Sequence, residues 1–280
     1  MNKNIQTFIG CDAEYDNSKI VLFGAPFDST TSFRPGTRFA SKAIRGDSFA
    51  IETYSPYQDK DLEDISVYDG GDLELPFGSV SASLSQIEEF AAKIVSDGKI
   101  PFMIGGEHLV TLGSFKGVCS VYSDVHIIHF DAHADLRDDY LGEKLSHATV
   151  MRRCWEITGD NKVFQFGIRS GERSEFMWAK SHVTMQKFNF DSLQSVIKLL
   201  EGKKVYLSID LDVLDPSVFP GTGTPEAGGV SFDNLLNACL SLKGLDIVGI
   251  DVNELCPVYD QSGASTATAC KLIRELLLML

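Results

Sequence analysis

Paired cysteines, long apolar runs and excess positive charge are all scarce in this 280-residue chain. Its six cysteines (Cys11, Cys119, Cys154, Cys239, Cys256, Cys270) include no CxxC pair, which argues against a disulfide framework or a sulfur-ligated zinc knuckle. They read as buried, reduced thiols. The apolar run LLLML at the C-terminus is far too short to span a bilayer, and the opening MNKNIQTFIGCDAEYDNSK has no h-region of a signal peptide. The expected location is cytoplasmic. Bases number 25 against 39 acids, a formal net charge of -14, which argues against nucleic acid and anionic membranes as partners. The same excess favours cationic ligands or metals. No repeat, low-complexity segment or linker interrupts the chain, so one domain is expected over residues 1–280.

What the chain does have is a series of short runs rich in Val, Ile and Phe: KIVLFGA, ISVYDGG, IPFMIGG, VHIIHFD, KVFQFGI, HVTMQKF, KVYLSID and DIVGIDV. Stretches with helical spacing, such as SLSQIEEFAAKIVSDG and FDNLLNACLSLKG, separate most of them. Alternating buried strands and helices predict an α/β fold with three layers, α/β/α, around a mostly parallel sheet of about eight strands. In such sheets ligands collect beyond the carboxyl ends of the strands. Glu107-His108 follows IPFMIGG; Asp131, His133 and Asp135 follow VHIIHF; Asp210 and Asp212 follow KVYLSI; Glu254 follows DIVGIDV. Scattered surface charges would not sort to one kind of strand end.

Asp131, His133 and Asp135 are spaced i, i+2, i+4, and in an extended segment their side chains point to one side. Asp210 and Asp212 repeat the pattern. Carboxylates forced together in a partly buried site need a counter-charge, and the sequence nearby offers few cations. A divalent metal supplies one. Imidazole and carboxylate donors without sulfur put Mn(II) first, with Fe(II), Co(II), Ni(II) and Zn(II) behind. Four carboxylates balance two such ions, and a metal pair makes hydroxide available near neutral pH. One metal with spare acids is the competing arrangement.

GTGTPE (221–226) lacks the third glycine of a dinucleotide fingerprint and contains Pro225, so it reads as a shaped substrate loop. His126 and His129 lie inside a strand and read as structural, His129 sharing the parity of Asp131 and so placed to support it. His182 has no supporting context.

These stretches, together with GAPFDSTTSFRPGTRFASKAIR, LSHAT, FGIRSG and VNELCPVYD, resemble the ureohydrolase family, the manganese enzymes that include arginase and agmatinase. The likeness spans nearly the whole chain and is closest to the bacterial agmatinases. It implies the arginase-like fold and two Mn2+ per subunit. One ion would be held by His108, Asp131, Asp135 and Asp210, the other by Asp131, His133, Asp210 and Asp212. His147 matches the family's proton-shuttling loop histidine, Glu254 the acid that orients the guanidinium, and Thr224 a hydroxyl lining the same pocket. Asp135 is further implied in stabilising the tetrahedral intermediate and in proton delivery. The implied reaction cleaves a small cationic guanidino substrate to urea and a primary amine, agmatine to putrescine foremost, in a homo-oligomer, a trimer or hexamer.

Where arginases carry an Asn and a His-Gly pair, this chain has Arg137 and His147-Ala148, so the arginine-binding pattern is missing. Arg137 leaves a carboxylated substrate open, guanidinobutyrate or another guanidino acid, unless Asp138, Asp139 or Glu143 pairs with it. Arginine and formiminoglutamate stand further back. From other classes, a catalytically silent metal-binding protein would have no need of both His147 and Glu254, and a single-metal amide hydrolase on this general fold is disfavoured by the paired histidine and aspartate ligands.

Overall fold

Each of the eight apolar runs becomes a strand in the computed structural model, which describes residues 6–280. The strands are β1 (Ile20–Gly24), β4 (Val67–Asp72), β5 (Ile100–Ile104), β6 (Val125–Phe130), β7 (Val163–Ile168), β8 (Thr184–Lys187), β9 (Lys204–Asp210) and β10 (Asp246–Asn253). A short antiparallel ribbon, β2 (Tyr54–Ser55) with β3 (Lys60–Asp61), stands apart. The eight strands pair in the order β4-β1-β5-β10-β9-β6-β7-β8, and every pairing is parallel. The sheet is thus wholly parallel, where the sequence suggested mostly so.

A parallel sheet must be covered on both faces, because its strands are buried on both sides. The pleat sorts residues accordingly. Ile20 and Leu22 of β1 join one apolar cluster while Val21 and Phe23 join the other. The first face is covered by α1 (Ala40–Asp47), α6 (Leu193–Leu199), α7 (Phe232–Ser241) and α8 (Ala264–Met279). The second is covered by α2 (Val80–Ser96), α3 (Val110–Cys119), α4 (Val150–Thr158) and α5 (Arg173–His182). Three layers, α/β/α, result. All six cysteines are free and five of them are buried. Among the described residues no helix is long and apolar enough to cross a membrane.

The strand order has a direct consequence for chemistry. The strands β5, β10, β9 and β6 are consecutive neighbours at the centre of the sheet, and they are the four that precede the candidate residues. Residues from four distant parts of the sequence therefore meet at one edge. Close approach there needs Gly106: a β-carbon on it would stand 1.9 Å from the carbonyl oxygen of Phe27. The Phe27 carbonyl in turn accepts a hydrogen bond from Glu107 N–H at 2.8 Å, tying the β1 loop to the GGEH turn.

Candidate metal centre and active site

Asp131 and Asp210 each begin their motif in the same way. Oδ1 of Asp210 accepts a hydrogen bond from Asp212 N–H at 2.8 Å, and Oδ1 of Asp131 likewise accepts from His133 N–H. These are Asx turns, in which a side chain imitates the backbone of a tight turn. The chain is therefore not extended through the motifs, contrary to the sequence expectation. Asp212 sits in a 3-10 turn (Leu211–Val213), and Asp135 adopts a left-handed φ of 52°. Pleat parity ends with the strand, and the turns bring the side chains together instead. Glu254, at φ 67°, is strained in the same manner. A non-glycine residue held there costs about 1–3 kcal/mol, and such strain gathers at functional sites.

Two groups of donor atoms share Asp131. In the first, His108 Nδ1 lies 3.0 Å from Asp131 Oδ2 and 3.2 Å from Oδ2 of both Asp135 and Asp210. In the second, His133 Nδ1 lies 2.9 Å from Asp212 Oδ2 and 3.5 Å from Asp131 Oδ1. The structure thus gathers all six residues expected to hold metal, most of them fully buried.

The hydrogen bonds around His108 test whether a cation fits. Ser208 Oγ donates to the Asp251 carboxylate at 2.7 Å, so it accepts from His108 Nε2 at 2.9 Å. The proton of a neutral imidazole is then on Nε2, and Nδ1 offers a bare lone pair. That atom is buried and makes no hydrogen bond, though three carboxylate oxygens face it. Four lone pairs pointing at one another repel unless a cation lies among them. Burial, and then neighbouring carboxylates, also push Asp135 and Asp210 above the usual carboxylate range. A divalent ion removes that penalty, and donors without sulfur suit Mn(II) or its hard neighbours.

A cavity of about 290 Å³ opens beside the cluster. His133, Asp135, His147 and Thr224 line it, together with Ser32, Arg137, Tyr140 and Glu172. His147 receives contacts from the β1 loop: its N–H donates to Thr30 Oγ1 at 3.1 Å, and Nε2 is 3.1 Å from Ser32 Oγ. Burial holds its imidazole down to about 4, so it is neutral at pH 7 and able to accept a proton. Thr224 Oγ1 donates to Asp212 Oδ2 at 3.3 Å, joining the GTGTPE loop to the cluster. Glu254 is not in the lining. It is buried beneath, its Oε1 accepting from His108 N–H at 2.8 Å, which leaves Oε2 for a ligand. Burial, with Glu107 and Asp212 nearby, raises its carboxyl well above the usual range.

Arg137 departs from the sequence expectation. It pairs with neither Asp138, Asp139 nor Glu143, but with Glu172 at 3.0 Å and Glu175 at 3.6 Å, its guanidinium 4.7 Å from the Tyr140 ring. Asp138 is taken by Arg153 at 3.0 Å. Glu172 follows β7 at the same strand edge as the other acids, a position the strand-end rule could have flagged. Ser32, Thr30 and Tyr140 carry no signal of spacing or composition. His126 is away from the cluster, stacked on Phe164, and His182 binds Asp160 at 2.6 Å.

Comparison with known proteins gives the family. The model of the arginase family covers residues 18–279. The agmatinase of Halalkalibacterium halodurans is 47% identical over 277 residues, spanning 98% of this chain and 96% of its own. The agmatinase of Bacillus anthracis is 45% identical over 278 residues, with the same coverage. A crystal structure of a Clostridium difficile protein assigned as an agmatinase has a TM-score of 0.93 at 52% identity, covering 95% of this chain and 98% of that one. The chain belongs to the arginase family, and within it is an amidinohydrolase of the agmatinase-like kind.

Proposed function

We propose that this protein, acting as one domain, hydrolyses agmatine to putrescine and urea with two Mn2+ ions. His108, Asp131, Asp135 and Asp210 would hold one ion, and Asp131, His133, Asp210 and Asp212 the other. Bound there, the pair supplies a hydroxide nucleophile near neutral pH. Glu254 holds the guanidinium nitrogens by charge-assisted hydrogen bonds and so orients the carbon toward the cluster. The departing amine must leave protonated, since an amide anion is a very poor leaving group. Asp135 and His147 both border the cavity; Asp135, pushed up to about 7, can deliver that proton, and His147 can do so once it has taken up the proton released by the attacking nucleophile. The Tyr140 ring stands edge-on to His147 in the cavity wall, 5.9 Å between ring centres.

The observation that carries the choice of agmatine is the state of Arg137. Its charge is met by Glu172 and Glu175, and its face by Tyr140, so it is not free to receive a substrate carboxylate. Arg137, Glu172 and Glu175 together carry a formal charge of one negative beside the cavity, which suits a distal ammonium. The identity to agmatinases supports the same reading. Urea release in the presence of Mn(II) tests it across agmatine, arginine and 4-guanidinobutyrate. Agmatine should give the highest kcat/KM; preference for a carboxylated compound sinks the assignment.

Glu172→Gln probes the same point from the protein's side. Removing one acid frees Arg137 in part, so kcat/KM for agmatine should fall about two- to fivefold, the size expected of an exposed ion pair. For 4-guanidinobutyrate it should rise. An equal change for both substrates would mean that Arg137 does not face the substrate tail.

A further inference from the structure

Behind the candidate metal ligands lies a buried pair that the reaction does not itself use. Gln165 of β7 and His129 of β6 are register partners in adjacent strands, and neither is exposed to solvent. The Gln165 amide nitrogen is 2.7 Å from the carbonyl oxygen of Ala134 and 3.0 Å from His129 Nδ1. A backbone carbonyl can only accept, so the group facing it must be the NH2. Its second proton then points at His129 Nδ1, which must be the acceptor. The amide oxygen Oε1 has no hydrogen-bond partner although it is buried. An unpartnered buried carbonyl costs free energy, and the amide keeps this orientation in spite of that cost because the flipped one would set two oxygens 2.7 Å apart.

We propose that Gln165 fixes His129 as the Nε2–H tautomer, and that His129 in turn fixes the carboxylate of Asp131. With Nδ1 accepting, the proton of His129 is on Nε2, which donates to Asp131 Oδ2 at 2.8 Å. His129 is therefore a positioning residue and not a ligand, even though its nitrogen lies close enough to His108 and Asp131 to be grouped with them as a metal-binding trio. Asp131 Oδ1 is held by His133 N–H and Oδ2 by His129. One hydrogen bond on each oxygen prevents the carboxylate from rotating and leaves each a free lone-pair direction. A residue shared by both donor groups gains most from being fixed in this way.

The consequence for metal binding rests on the functional reading above, whereas the tautomer does not. Long-range 1H–15N correlation spectra of the histidine-labelled apoprotein, metal removed, read the tautomer directly. His129 is expected to show a protonated Nε2 and a bare Nδ1. A protonated Nδ1, alone or with Nε2, overturns the proposal. Gln165→Met keeps the bulk and removes the donor. Its His129 should lose the single tautomer, and its Mn(II) affinity should fall about 10- to 100-fold, the usual loss on removing a group that orients a ligand. At saturating metal kcat should stay within about threefold of wild type. Unchanged Mn(II) affinity together with a mixed tautomer overturns the link to Asp131. If the variant does not fold, the wild-type spectrum still decides the tautomer. Failure of the wild-type chain to bind any divalent metal would count against the hydrolase reading, with the spectrum unaffected.

Discussion

Replacing Asp131 by alanine should cut urea release by about a thousandfold or more and leave the protein with at most one metal ion per chain. The size follows from the several kcal/mol that metal ions contribute to charge stabilisation in a transition state, each 1.36 kcal/mol being tenfold in rate. Asp131 is singled out because it is common to both donor groups, facing His108 through Oδ2 and His133 through Oδ1. Asp212 belongs to the second group, with His133, and its loss should impair one ion more than the other. The alanine variant also strands two donors, His129 Nε2–H and His133 N–H, at about 1–3 kcal/mol for a buried unsatisfied group. A thermal melt must therefore accompany the assay. Asp131→Asn keeps the shape and removes the charge, and its single amide oxygen can accept from only one of the two donors. Metal analysis and urea release on both variants give the answer: full metal content with full activity in either would overturn the two-ion site.

The fold was legible in the sequence because the signals behind it are local. A short β-branched and aromatic run reads as a strand wherever it occurs, and all eight such runs did become strands, although β8 at the sheet edge is not buried. The rule that ligands gather at carboxyl ends of parallel strands then found His108, Asp131, Asp210 and Glu254 without knowledge of strand order. Parity arguments failed one residue past each strand. Asp131 and Asp210 use their own carboxylates to turn the chain, and no pleat survives an Asx turn. The ion pairs of Arg137 failed for another reason. Nearby acids in the sequence are only nearby in space if the backbone keeps them so. Here Asp138 goes to Arg153, and Arg137 reaches acids that follow a neighbouring strand. Gln165 was invisible for the same cause: in a parallel sheet, register partners are separated by a whole helix and its loops.

Glu254→Gln should lower kcat/KM for the guanidino substrate by about two to three orders of magnitude while metal content stays at the wild-type level. The reasoning begins with the carboxyl itself. Burial and the nearby Glu107 and Asp212 raise it well above the usual range, because the free protein offers no counter-charge that would favour its ionised form. A guanidinium supplies the missing charge, and truncating one partner of a buried, hydrogen-bonded charge pair costs about 2–5 kcal/mol. Glutamine is the informative replacement, because its amide oxygen can still accept from His108 N–H, the contact that Oε1 makes at 2.8 Å. Alanine would strand that N–H, disturb His108 and confuse loss of substrate with loss of metal. The left-handed backbone at this position, φ 67°, is equally strained for both side chains and cancels from the comparison. Metal titration with steady-state kinetics on the glutamine variant therefore separates the two roles. A variant that loses metal along with activity would make Glu254 a support of His108, and one with wild-type kcat/KM would remove it from substrate binding altogether.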